Sequence, residues 1–458
     1  MEHIFICGED MLKRKIDSFI RQFFRRSKNA LLITGARQIG KTFSVREFGK
    51  NFKSFVEINF VENQDAVEIF RTAKSSSDIL LRLSAMTDTP LIKGETLIFF
   101  DEVQKCPEIV TAIKFLVEEG SYRYVLSGSL LGVELRDLRS VPVGYLEVKD
   151  MYPLDFEEFL ICNNVSESII SHLKEAFYKK ISVDDVIHAK LLELFRLYLV
   201  VGGMPAAVSK YLETNNLQEV VAVQREIIRL YKWDISQYDY KNKLKIEEIF
   251  DLIPSELNAK NKRFILKSLN RNAKFAYYED SFLWLKNAGV ALPVYNVEEP
   301  KVPLLLAKSR NLFKLFQSDV GLLAAQYSDG IQLKIIMGQS DINFGAIYEN
   351  AVAQELAAHD FNLYYFNSKK QGELDFVVEK DGMILPIEVK SGKDYAVHRA
   401  LTNILENSEY NIKEALVLSN ANIKQVGKIL YAPIYMVMLL EKKKENPLIY
   451  KIDLSAIS

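Results

Sequence analysis

The stretch Gly35-Ala36-Arg37-Gln38-Ile39-Gly40-Lys41-Thr42 decides how the N-terminal part of the chain folds. It follows the apolar run Ala30-Leu31-Leu32-Ile33 and opens a segment that can be helical. Its pattern, G-x-x-x-x-G-K-T, is that of a phosphate-cradling loop set between a strand and a helix. Backbone N–H groups reach phosphate oxygens where side chains are absent, which explains Gly35 and Gly40. Ala36, Arg37, Gln38 and Ile39 complete the loop. Lys41 then places a point charge on the β- and γ-phosphates of ATP, and Thr42 offers a hydroxyl to Mg²⁺.

Further along, Leu97-Ile98-Phe99-Phe100-Asp101-Glu102 reads as a strand buried on both faces and ending in two acids. Parallel strands deliver ligands at their carboxyl ends. Asp101 is expected to hold Mg²⁺ through water, and Glu102 to orient and polarise the attacking water. A protein that only holds nucleotide has no use for that second acid. Tyr124-Val125-Leu126-Ser127-Gly128-Ser129 suggests another strand, where Ser127 or Ser129 can sense the γ-phosphate.

At 458 residues the chain is too long for one ordinary core. Its 48% hydrophobic and 26% charged content fits a soluble globular protein. The net charge of −1 advertises no global attraction to nucleic acid, although a local basic groove escapes that average. Cys7, Cys106 and Cys162 are odd in number, far apart and without metal spacing, which suggests a reducing compartment. No apolar run approaches a membrane span, and the N-terminus lacks a signal-peptide pattern. A cytoplasmic protein with no membrane partner is expected.

Strand-like segments near 31–34, 55–59, 97–100 and 124–127 alternate with helical ones, with a further strand at 143–148, so the N-terminal part reads as a parallel sheet wrapped by helices. Residues 10–26 suggest an amphipathic helix with a basic outer face. From Pro153 to about Ser236 the pattern is helical, broken at Val201-Gly202-Gly203-Met204-Pro205, and suits a lid beside the nucleotide. Helices followed by strands at Val290–Tyr295 and Val302–Ala307 suggest a winged helix. The expected divisions are an ATPase core over 1–152, a helical lid over 153–242, a winged-helix-like module over 243–335 and a C-terminal α/β domain over 336–458.

In the last of these, Asp381-Gly382 lies between two alternating segments and signals a two-residue hairpin. The register then pairs Leu374 with Val389, Phe376 with Ile387 and Val378 with Leu385 on one apolar face. On the other face Asp375 meets Glu388 and Glu373 meets Lys390. Carboxylates opposed at about 5 Å repel unless a cation joins them. Two acids and a lysine on one edge can hold a divalent cation, and Glu349 can lean in from a helix over 345–359. A surface ion pair between Glu373 and Lys390 is the alternative.

The loop at 35–42, the strand end at Asp101-Glu102, Ser127-Gly128-Ser129, Tyr152-Pro153-Leu154-Asp155-Phe156-Glu157-Glu158-Phe159 and Val201–Pro205 together resemble a family of prokaryotic AAA-type ATPases that carry a C-terminal DUF4143 domain. Lys314-Leu315-Phe316-Gln317-Ser318-Asp319-Val320-Gly321 resembles that second domain as well. The tail resembles restriction-endonuclease-like domains of the PD-(D/E)xK type. That resemblance implies Glu349, Asp375 and Glu388 as metal ligands and Lys390 as a catalytic lysine, with DNA or RNA as partner. Many relatives place a Gly-Arg pair after the sensor strand. Here the chain reads Ser140-Val141-Pro142-Val143-Gly144, with Arg136 and Arg139 nearby, so neither an arginine finger nor a homo-oligomer is fixed. Three functions follow: an ATP-driven nuclease-like enzyme on nucleic acid, a nucleotide-dependent switch whose tail only binds, and a protein remodeller.

Overall fold

The computed structural model describes residues 12–129, 144–238, 242–259, 262–270, 274–339, 344–392, 394–442 and 452. Arg136 and Arg139 lie outside the described residues. Helix α1 (Lys15–Arg26) buries Ile16, Ile20 and Phe23 and turns Arg21, Arg25 and Arg26 outward. Then follow β1 (Ala30–Thr34), α2 (Lys41–Gly49), β2 (Ser54–Asn59), α3 (Gln64–Thr72), α4 (Ser76–Met86), β3 (Thr96–Asp101), α5 (Glu108–Glu119), β4 (Arg123–Gly128) and β5 (Leu146–Asp150). These five strands form a parallel sheet in the order β2-β3-β4-β1-β5. Every residue of β3 is buried, because helices cover both faces of the sheet. Leu97 and Phe99 face one apolar cluster, Ile98 and Phe100 the other. The carboxyl ends of β3, β4 and β1 lie side by side at one edge of the sheet.

A run of helices follows: α6 (Phe156–Cys162), α7 (Glu167–Lys179), α8 (Asp185–Val201), α9 (Pro205–Thr214) and α10 (Leu217–Tyr238). The break expected at Gly202-Gly203 separates α8 from α9, with Pro205 in the first turn, where its missing N–H costs nothing. Next come α11 (Lys243–Asn258), α12 (Phe275–Asn287), β6 (Ala291–Val297), β7 (Lys308–Gln317), α13 (Val320–Ala325) and α14 (Ile331–Met337). The second strand expected at Val302–Ala307 is displaced. Leu304–Ala307 form a 3₁₀ turn, and pairing begins only at Lys308, beyond the donor-less Pro300 and Pro303. Nor do β6 and β7 stand apart as a wing.

They join the C-terminal sheet, built with α15 (Phe344–Ala358), β8 (Tyr364–Ser368), β9 (Gly372–Lys380), β10 (Met383–Val389), α16 (Arg399–Glu406), β11 (Ala415–Ser419), β12 (Lys424–Val426) and β13 (Ile429–Pro433). The strand order is β12-β13-β11-β10-β9-β8-β6-β7, so this sheet runs across the division expected at residue 335. The Asp381-Gly382 hairpin has the expected register, with Val378 opposite Leu385 and Phe376 opposite Ile387. Pro386 sits one residue ahead of the first β10–β11 pair, where β10 still has a single neighbour. Leu374 departs from expectation. It packs with Val377 rather than with Phe376, because the β8–β9 register shifts and inserts a bulge beside Asp375. One apolar cluster runs from Ile16 and Leu31 through Phe156 and Tyr198 to Phe376 and Met436. Among the described residues no helix is long and apolar enough to cross a membrane.

Candidate functional site

Strand β1 ends at Thr34, the glycine loop turns, and α2 starts at Lys41. Gly35 has φ +138°, and a Cβ there would lie 2.3 Å from the Met151 carbonyl oxygen, so no side chain fits. Lys41 Nζ reaches back across the loop to donate to the carbonyls of Gly35 (3.1 Å) and Ala36 (2.7 Å). Burial lowers the Lys41 ammonium to about 8, against the opposing pull of Glu102 and Asp101. A buried ammonium held by weak carbonyl partners is readily surrendered to a phosphate.

The acids stand opposite. Thr42 Oγ1 donates to Asp101 Oδ2 at 2.8 Å, the Ser127 hydroxyl donates to Asp101 Oδ1, and so does the Glu102 N–H at 3.0 Å. Hydroxyl and carboxylate oxygens meeting here are hard donors, and they fit Mg²⁺. Thr42 and Asp101 would hold that ion, which when bound neutralises charge on the β- and γ-phosphates. Glu102 has φ +54° and lies just past the end of β3. The Gln104 amide donates to its carboxylate, and the Ser129 hydroxyl lies 3.5 Å from it. Ser127 thus orients Asp101, whereas Ser129 sits between Glu102 and Arg37, whose Nε is 3.4 Å away.

The C-terminal residues also converge, in an arrangement the hairpin arithmetic does not foresee. Glu373 pairs with Lys314 at 2.8 Å, not with Lys390, and the Asn367 amide donates to its other oxygen. Lys390 pairs with Glu388 at 2.7 Å. The bulged Asp375 accepts from the Val389 N–H at 2.8 Å, and Lys262 takes one oxygen of Glu349. Burial raises Glu349 and Glu388, the latter to about 8, and the Asp375 charge adds to both. Among the described residues no group of three or more His, Cys, Asp or Glu side chains is arranged to hold a metal, so Glu349, Asp375 and Glu388 form no ready-made metal site.

Residues 27–160 match the AAA domain family, residues 192–332 a domain of unknown function (DUF8612) and residues 344–436 a domain of unknown function (DUF4143). Residues 27–160 are an AAA-type P-loop ATPase domain. Among solved structures, the chain is similar to a Walker-type ATPase of Pyrococcus abyssi (14% identity, 69% of this chain and 96% of that one, TM-score 0.40). It is also similar to the Orc1 protein of Aeropyrum pernix in complex with DNA (12% identity, 70% and 92%, TM-score 0.27). No curated protein matches.

The AAA domain does not end at its own phosphate loop. Arg37, inside the loop, pairs with Asp234 of α10 at 2.5 Å, and the Tyr231 hydroxyl donates to the Arg37 carbonyl at 3.1 Å. Gly289, φ +72°, comes so close that a Cβ there would stand 2.9 Å from the Ala36 nitrogen. Arg37, Tyr231, Asp234, Trp284, Ala288 and Val290 line a narrow cleft beside the loop. On the other side Arg14 donates to the carbonyls of Ile39 (2.9 Å) and Tyr152 (2.7 Å) and pairs with Glu158 (3.1 Å).

The segment after Tyr152 ties the AAA domain to the DUF4143 helix α15. Asp155 caps α6 in a capping box with Glu158 and faces Lys15 (2.7 Å) and His359 (3.4 Å). Burial works against its charge, yet Lys15 and His359 hold the Asp155 carboxyl well below the usual carboxylate range. Glu355 accepts from the Phe156 N–H at 2.6 Å, and burial with the nearby Asp155 charge pushes it up to about 8. Asp234, Gly289, Gln104 and Lys314 carry no local sequence signal of their place. Only the last belongs to a stretch that the family resemblance singles out.

Proposed function

We propose that this chain is an ATP-hydrolysing switch that acts on nucleic acid, in which the state of the AAA domain's phosphate loop is passed to the C-terminal sheet. Glu102 polarises the attacking water, Lys41 neutralises developing phosphate charge, and Thr42 with Asp101 would hold Mg²⁺. The observation that carries the switch is the set of partners the loop has beyond residues 27–160: Asp234 on Arg37, Tyr231 on its carbonyl, and Gly289 against Ala36. A loop that only bound ATP would need none of these. Phosphodiester cleavage by Lys390 is left out of this reading, because Lys314 already stands among the acids that cleavage would require.

The test uses the two tryptophans of the chain, Trp233 beside Asp234 and Trp284 in the cleft with Arg37. Titration of the full chain with MgATPγS should change tryptophan emission saturably, and ADP should give a different plateau. Labelled ATP that binds without any emission difference between the two nucleotides removes the switch and leaves the ATPase. Absence of saturable ATP uptake removes both. Turnover raised by DNA or RNA, with no cutting in a parallel gel assay, supports the partner class; stimulation by protein alone replaces it.

A further inference from the structure

We infer that Lys314 is the resident cation of the C-terminal constellation, filling the place that the nuclease resemblance gives to a divalent metal. Lys314 lies on β7 with no exposed surface, and its Nζ is 2.8 Å from Glu373, 3.6 Å from Glu349 and 4.0 Å from Asp375. Three carboxylates from α15 and β9 thus converge on one ammonium. A buried ammonium is tolerated only when such partners surround it. Although burial favours the neutral amine, Glu349, Asp375 and Glu373 hold Lys314 above its ordinary value. Its ammonium also lies over the Tyr365 ring, 5.1 Å from the centroid.

Two further lysines pair with the acids around it. Lys262 and Lys390 take Glu349 and Glu388, so the acids Glu349, Glu373, Asp375 and Glu388 face the lysines Lys262, Lys314 and Lys390. Mg²⁺ demands about six oxygens at roughly 2.0–2.1 Å in an octahedron. An ammonium in the middle both repels that ion and takes up the space. The centre of the constellation is therefore held by a cation without metal, and it ties β7 and the segment after α11 to α15 and β9.

Mn²⁺ binding by the full chain, followed by electron paramagnetic resonance, tests this independently of any ATP-dependent behaviour. The Asp101→Asn chain without nucleotide removes the contribution of the phosphate loop. With Lys314 intact, no saturable Mn²⁺ site is expected. Adding Lys314→Met should open one site per chain, and Asp375→Asn should close it again. A saturable site in the chain that keeps Lys314, lost on Asp375→Asn, overturns the inference. So does a folded Lys314→Met chain, with native circular dichroism, that gains no site. If that variant does not fold, the titration with Lys314 intact decides alone.

Discussion

Replacing Gly289 by alanine should weaken ATP binding at a loop that lies in another domain. Two penalties can be separated. Gly289 has φ +72°, and an L-residue held there costs about 1–2 kcal/mol. The new Cβ would also lie 2.9 Å from the Ala36 nitrogen and 3.4 Å from its Cα and Cβ. That neighbour is backbone, so it yields only by moving the phosphate loop by a few tenths of an ångström. Sites of this kind tolerate displacements of about 0.5 Å at most. Loss of one charge-assisted amide–phosphate bond is worth about 1.5–3 kcal/mol, or a rise in Kd of about 10- to 150-fold. Gly330 provides the control: its φ is +86° and nothing lies within 4 Å of an added Cβ. Both Gly289→Ala and Gly330→Ala should lower thermal stability through the shared strain at positive φ, Gly289→Ala by more because of its clash. Only the first should weaken binding of a fluorescent ATP analogue. Equal affinities in the two variants would refute the claim that Gly289 braces the loop.

Glu102→Gln should leave ATP affinity within a few-fold and slow turnover by about 10²–10⁴; single-turnover hydrolysis checks it. With Lys41 lowered to about 8, its charge is full below that pH and lost above it, so ATP affinity should hold to pH 8. It should then fall toward about tenfold per unit, read from Kd between pH 7 and 9.5. The same buried charge opposes folding below about pH 8, and that penalty fades as pH rises toward the ordinary lysine value. Glu355 titrates near 8 when folded and near 4.5 when unfolded, so its folded form keeps a proton that the unfolded chain loses. Stability from this group therefore declines as pH rises between those values and is flat above 8. Glu355→Gln keeps an acceptor for the Phe156 N–H but removes that slope. Its melting temperature relative to the parent should climb from pH 5 to 8 and then level.

The sequence was most informative where chemistry is local. The phosphate loop, the strand ending in Asp101 and Glu102 and the glycine break after Val201 each need their residues in a short window, and each lies where its pattern puts it. The hairpin register was legible because Asp381-Gly382 fixes it geometrically. The bulge beside Asp375 was not. Leu374, Phe376 and Val378 alternate without a flaw, and the extra residue shows only against β8. Lys314 was hidden for another reason. A lysine on a strand normally implies a solvated position, and its acidic partners come from segments 35 to 61 residues later in the chain. The same holds for Asp234 and Gly289, whose meaning depends on a loop nearly 200 residues or more before them.

These distant contacts converge on one element. Gly289 presses on the phosphate loop two residues before β6 begins, and Val294 of β6 pairs with Lys314 of β7. Just past β7, Asp319 accepts from the Gly203 N–H at 2.6 Å, in the turn between α8 and α9. The segment from Gly289 to Asp319, which holds β6 and β7, therefore touches the phosphate loop, the turn between α8 and α9 and the C-terminal acids. Within β6, Ala291 to Val294 spans about 10 Å at roughly 3.3 Å per residue. β6 and β7 are the last two strands of the eight-stranded sheet, and the end of β7 that carries Lys314 is buried, so a shift at the loop can be carried along the paired strands to Lys314. If that holds, Gly289→Ala and Lys314→Arg should be non-additive in their effect on ATP affinity, although the two sites share no direct contact. Strict additivity of the two effects, within about 0.5 kcal/mol, is what independent distant sites give, and it would show that the hairpin carries no signal.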